Sequence, residues 1–220
     1  MPVADPHLEV ETDLLGGARF VIGCDEVGRG AIAGPVGVGL VVIDGTVGKH
    51  PPGLRDSKML SEKRREEFAP LARAWVLHSA VGLATAAEID SIGIMAALGL
   101  AARRALTDLH EAGARIDQSV VLLDGSHDWL TPALSKPPRV YARPKADRDC
   151  ASVAAASVIA KVHRDRLMIE ADARIPGYGW ADNKGYGSAE HLSAIDRQGA
   201  SELHRHSWLR TPGLDLLEHG

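Results

Sequence analysis

The chain has 220 residues, 45% of them apolar and 25% charged, with a formal net charge of -4. That is a globular composition, neither disordered nor fibrous, and long enough to bury one substantial core. The acidic balance excludes a globally basic nucleic-acid binder and leaves only local basic patches open. Two cysteines, Cys24 and Cys150, are too few for a disulfide framework or a zinc ribbon, and both read as small buried residues.

Residues 1–17 mix Pro, Asp, Glu and a Gly-Gly pair, and are expected to be a short mobile N-terminal extension. They lack a basic n-region and an apolar h-region, and no stretch is long and apolar enough to span a membrane. The expected location is therefore the reducing cytoplasm. Residues 18–210 read as one domain with a C-terminal helical appendage, followed by a tail at 211–220.

Ala18 to Glu26 forms the first predicted strand; its buried run of Val21, Ile22 and Cys24 ends in adjacent carboxylates and a Gly28-Arg29-Gly30 turn. Side chains alternate along a strand, so Asp25 and Glu26 share one site only if the backbone leaves the regular pleat near Gly28. Pro35 to Ile43 is a second strand, close enough in sequence to pair antiparallel. Lys58 lies just ahead of a helix starting near Ser61, whose hydroxyl suits an N-terminus. A third strand is expected over Ala74 to Thr85, then one long helix from Glu88 to about His110, ended by Gly113.

Ser119 to Asp124 repeats the geometry of the first strand: a buried run, a terminal carboxylate and a glycine. Arg139 to Ala142 is a short fifth strand. The small-residue helix that follows, ASVAAASVIAKVHRDRLMIEA, can approach a sheet closely. Glycine-rich loops around Tyr186 and a helix near Ser188 to Arg197 complete the appendage. This order predicts an α/β fold with a mixed five-stranded sheet flanked by helices.

Ligands of such sheets gather outside the strand carboxyl ends, where Asp25, Glu26 and Asp124 all fall. Clustered oxygen donors without paired Cys or His ligands favour Mg2+ or Mn2+. Two such ions serve the in-line cleavage of a phosphodiester. A fourth carboxylate comes from the loop before the small-residue helix, where Asp147 and Asp149 compete; Asp149 also suits a helix N-cap or first-turn acid. Lys58, Arg143, Lys145, Lys161 and Arg164 offer local positive charge. His191, His204 and His206 read as structural or solvated.

DEVGRG followed by AGPV, together with DSK, the A-A-S helix motif and K-G-Y-G-S, resembles the type 2 ribonucleases H, specifically the ribonuclease HII family, over about Phe20 to Trp208. The resemblance implies a ribonuclease H-like fold and selects Asp147 as the fourth ligand beside Asp25, Glu26 and Asp124. It implies substrate contacts at Lys58 and Lys161, reading of a ribose 2′-hydroxyl by Gly28, Arg29 and Gly30, and packing of Tyr186 at an RNA to DNA junction. The implied partners are RNA-DNA hybrids and duplex DNA carrying single ribonucleotides. Cleavage on the 5′ side of the ribonucleotide would leave a 3′-hydroxyl and a 5′-phosphate, by a monomer. Two departures stand out: Trp208 replaces the usual phenylalanine of HRHSW, and the interval from Asp124 to Asp147 is longer. A ribonuclease HIII-like nuclease and a non-catalytic hybrid-binding module are the rival readings.

Overall fold

A computed structural model describes residues 5–209. The expected sheet is present, with strands β1 (Phe20–Val27), β2 (Val36–Ile43), β3 (His78–Ala84), β4 (Ser119–Asp124) and β5 (Arg139–Arg143) in the order β3-β2-β1-β4-β5. β1 pairs antiparallel with β2 and parallel with β4; β3 and β5 extend the two sides. The parallel register matches Cys24 with Leu123. It thus sets Asp25 level with Asp124 at the same end of two neighbouring strands.

Between these strands and beyond them run helices α1 (Glu9–Leu15), α2 (Glu62–Trp75), α3 (Ala86–Ile92), α4 (Ile94–Glu111), α5 (Ala146–Asp149), α6 (Ala151–Arg174), α7 (Trp180–Asn183), α8 (Ala189–Gln198) and α9 (His206–Leu209). Strand alternation divides the core in two. Ile22, Cys24, Val121 and Leu123 pack with α4 on one face; Val21, Val41, Val120 and Leu122 pack with α2 and α6 on the other.

The small residues of α6 do what their size allows. A Cβ added at Gly23 would lie 2.5 Å from the Ser152 carbonyl carbon, and one at Gly39 would lie 2.6 Å from the Ala156 oxygen. The helix therefore sits against the sheet backbone, and its N-terminal end is brought up to β1 and β4.

Several expectations need correction. The third strand begins at His78 because α2, capped at Ser61 by its bond to Arg64 N–H, continues through Trp75. The long helix is two: Gly93, with φ of 78°, turns the chain between α3 and α4, a conformation that glycine adopts without strain. Residues 5–17 are not a loose extension. Helix α1 docks on the domain, with Glu11 only 1% exposed and His7 bridged to Cys150. The tail at 211–220, and residue 210, lie outside the described residues. No helix among those described is long and apolar enough to cross a membrane. Cys24 and Cys150 are both buried and free, as expected.

Candidate active site

Asp25 and Asp124 reach the same face of the sheet because each follows the alternation of its strand toward α6. Asp147 arrives from α5, where Lys145, at φ of 63°, folds the chain back sharply. Its own N–H donates to Asp124 Oδ1 at 3.2 Å. One carboxylate oxygen from each of Asp25, Asp124 and Asp147 lies within 4.8 Å of the others. Three of the four expected carboxylates therefore converge.

Glu26 does not join that trio. β1 keeps regular pairing with β2 through Val27, so no departure from the pleat occurs and Glu26 points to the opposite face. There its carboxylate lies 3.6 Å from Arg29. It still stands within Coulombic reach of both Asp25 and Asp124.

The electrostatics are those of crowded acids. Burial first, and then the Glu26 charge, push the Asp25 carboxyl well above its ordinary range, against the pull of the Ser157 hydroxyl and Lys58. Burial raises Glu26 despite Arg29, and burial with the Asp147 charge raises Asp124. Such a cluster is short of positive charge.

One cation from the protein supplies part of it. Lys58 Nζ donates to Asp147 Oδ2 at 2.9 Å and lies 4.0 Å from Asp56 Oδ1. Burial pulls its proton affinity down, but the bond to Asp147 and the fields of Asp25 and Asp56 hold it above that of a free lysine. The lysine expected on the substrate side thus faces the carboxylates directly. Its placement comes from the buried Asp56, which accepts from Lys58 N–H at 3.1 Å and from Ser157 Oγ at 3.2 Å. Asp56, Ser57 and Ser157 form a support that sequence reasoning missed, although DSK and the A-A-S motif contain all three.

The other expected residues take varied positions. Lys161 is engaged with Asp165 at 2.6 Å, and its ammonium lies 5.6 Å from the centre of the Tyr186 ring. Tyr186 is 37% exposed, with Arg164 5.5 Å away on its ring. Arg29 is largely exposed and also reaches Met95 Sδ at 3.6 Å. Gly28 holds φ of 75°, and a Cβ there would collide with the Arg164 guanidinium; one at Gly30 would meet nothing within 4 Å. Arg164 itself is no surface charge tracking a phosphate, since it is fully buried.

Asp149 does not cap α6; of its two expected roles it takes the other, as a first-turn acid of the short helix α5. It pairs with Arg148 at 2.8 Å and Arg143 at 3.7 Å. The cap comes instead from Glu11 of α1, which accepts from Ser152 N and Oγ, each at 2.8 Å.

The donor set fits a divalent cation. It is all oxygen, it is crowded enough to raise its own proton affinities, and an ammonium already bonds one member. Hard ions such as Mg2+ and Mn2+ suit such a group.

A mixed five-stranded sheet with clustered carboxylates at the ends of β1 and β4 defines the ribonuclease H-like class of enzymes. A family model described as Ribonuclease HII matches residues 22–211. A Ribonuclease HII from Streptomyces griseus is 43% identical, with all of this chain and 90% of that protein covered. Among solved structures, ribonuclease H2 from Pyrococcus horikoshii superposes with a TM-score of 0.68 at 28% identity, covering 86% of this chain and 93% of that one. Bst-RNase HIII in complex with Mn2+ gives 0.66 at 25% identity, covering 90% of this chain and 67% of that one. The chain belongs to the ribonuclease HII family and is a ribonuclease H.

Proposed function

We propose that this ribonuclease H cuts the RNA strand of RNA-DNA hybrids and incises duplex DNA 5′ of single embedded ribonucleotides, leaving 3′-hydroxyl and 5′-phosphate ends. The observation that carries this reading is the convergence of Asp25, Asp124 and Asp147 beside the Gly28-Arg29-Gly30 turn, an acidic cluster adjoining main-chain groups open to a ligand. Asp25, Asp124 and Asp147 would hold two divalent ions, Mg2+ or Mn2+, with Glu26 completing the set from the neighbouring face of the strand end. When bound, such ions supply an activated water and stabilise the leaving oxygen.

The chain's own residues do the rest. Lys58 balances the charge of Asp147 and offers a cation to a neighbouring phosphate. Gly28, Arg29 and Gly30 read the ribose 2′-hydroxyl, a group that only RNA presents. Tyr186 offers an exposed ring for packing on the adjoining deoxynucleotide, and Lys161 holds that ring from below. The enzyme would act in the cytoplasm as a monomer, a setting that two free buried cysteines suit.

The test is incubation of purified protein with duplex DNA containing one ribonucleotide, in Mg2+, in Mn2+ and in EDTA. A metal-dependent single cut 5′ of the ribonucleotide is expected. Cleavage only within longer RNA stretches would return the chain to a general hybrid nuclease.

A further inference from the structure

Arg164 and Arg205 are both 0% exposed, yet no ion-pair partner faces either of them among the described residues. Their hydrogen bonds all go to main-chain carbonyls. Arg164 donates from Nε to Pro35 O at 2.8 Å, from Nη1 to Lys184 O at 2.8 Å and from Nη2 to Ala33 O at 3.0 Å. Arg205 donates from Nη2 to Gly28 O at 2.6 Å, from Nη1 to Arg29 O at 2.8 Å, and from Nε and Nη2 to Gly34 O at 3.2 Å. Two guanidinium groups thus grip one loop, Gly28 to Pro35, from within.

Burying a charge without a counter-ion is strongly unfavourable. Burial first, and Arg164 second, push Arg205 down to about 10, so it stays protonated at neutral pH. What the fold gains is control of two peptide planes. The chain has no cis peptide among its described residues, and in a trans peptide the C=O of one residue and the N–H of the next point in opposite directions. Drawing Gly28 O and Arg29 O toward Arg205 therefore turns Arg29 N–H and Gly30 N–H the other way. Neither of these N–H groups has a protein acceptor among the described residues. Two successive N–H groups on one side of a turn form a concavity suited to an oxygen acceptor. A positive charge at the carbonyl ends polarises both amides and strengthens them as donors.

We infer that Arg205 is a positioning residue for ribose selectivity: its guanidinium fixes the Gly28 and Arg29 carbonyls so that Arg29 N–H and Gly30 N–H present a paired donor to the ribose 2′-oxygen. Arg164 braces the same loop through Ala33 and Pro35. The inference rests on the reading of this turn as the 2′-hydroxyl reader, and assigns the residue that makes it selective.

The experiment compares binding of two duplexes, one all-DNA and one with a single ribonucleotide, by fluorescence anisotropy in Ca2+, an oxygen-seeking ion, and again in EDTA. Wild type is expected to favour the ribonucleotide duplex. Arg205→Lys keeps the charge but cannot span three carbonyls, and is expected to lower that preference about tenfold, the worth of one or two ordinary hydrogen bonds. Weakened binding of both duplexes in equal proportion, with the preference intact, would overturn the inference and leave Arg205 a support for the fold alone. Absence of preference in wild type would overturn the 2′-hydroxyl reading itself, and the inference with it. Should Arg205→Lys unfold, Arg205→Ala supplemented with free guanidinium ion takes its place. Guanidinium should restore the preference where methylammonium does not; restored melting temperature without restored preference overturns the proposal.

Discussion

Asp147 and Asp149 sit two residues apart and have opposite surroundings. Asp147 is 7% exposed, bonded to Lys58 and joined to Asp124 through its N–H. Asp149 is held by Arg148 and Arg143, and its carboxyl lies below the usual range, first through the Arg148 bond. Asp147→Asn should therefore abolish cleavage while the protein melts no lower in EDTA, because one of several mutually repelling charges is removed. Asp149→Asn should keep most activity. Steady-state cleavage and melting curves check both. Tyr186→Ala should slow incision at a single ribonucleotide by the equivalent of about 1–3 kcal/mol of lost stacking without changing metal affinity. Rates on that substrate, set beside Mn2+ titrations, read the difference; a wild-type rate would return Tyr186 to anchoring its loop. The sequence made Asp25 and Asp124 legible because each closes a buried run, whereas Asp147 and Asp149 both precede the small-residue helix and only the family resemblance selects Asp147. Its pattern also carried the objection to Glu26, since strand alternation alone sends adjacent residues to opposite faces.

At the scale of elements, β1, β2 and β4 were readable from apolar runs, and Ser61 from its capping chemistry. The break at Gly93 was hidden, because apolar spacing continues across it while only the backbone angle changes. Helix α1 was hidden for another reason: acids interleave its few apolar residues, and its docking joins Leu8, Val10, Leu14 and Leu15 packed on the core with one buried acid that finds Ser152 at the start of α6, 141 residues along the chain. Glu11 has a second oxygen with no hydrogen-bond partner, and burial raises its carboxyl despite the two Ser152 bonds. Removing residues 1–17 also strips the apolar contacts of Leu8, Val10, Leu14 and Leu15 and should cost more than Glu11→Ala, which should lower stability by about 1–2 kcal/mol, within the range of an N-cap. In a domain of this size that corresponds to roughly 2–8 °C in melting temperature. An unchanged melting curve after truncation would restore the expectation of a loose leader.

The appendage is held together by a buried polar cluster. Trp180 Nε1–H donates to His191 Nε2 at 3.0 Å, and His204 Nε2 lies 3.0 Å from the same atom. The tautomers follow from the neighbours: Tyr186 O can only accept, so His191 Nδ1 carries a proton, and Ser201 N–H can only donate, so His204 Nδ1 carries none. Both rings are neutral, as their reading as structural histidines requires. Burial first, and then the neighbouring His191 ring, with which it would have to share a proton's charge, lowers His204 from 6.5 to about 4. A lowered histidine favours folding above the unfolded value and ceases to as acid protonates the unfolded chain. Stability of the appendage should therefore be full above about pH 6.5 and decline progressively toward about pH 4. Fluorescence of a variant that keeps Trp180 as its single tryptophan is the appropriate probe, because the raised carboxyls of the acidic cluster act in the opposite sense on global melting. The two interior guanidinium groups bear on ionic strength in a different way. Counterions reach charges at the surface, where phosphates are met, and affinity for any duplex should fall steeply as salt rises. They do not reach Arg164 and Arg205, which have no exposed surface and are little screened. With the Gly28-Arg29-Gly30 turn reading the 2′-hydroxyl as proposed, added salt should therefore weaken the grip on ribonucleotide-bearing and plain duplexes in parallel, so that DNA is released more readily while the preference between the two stays as sharp as before.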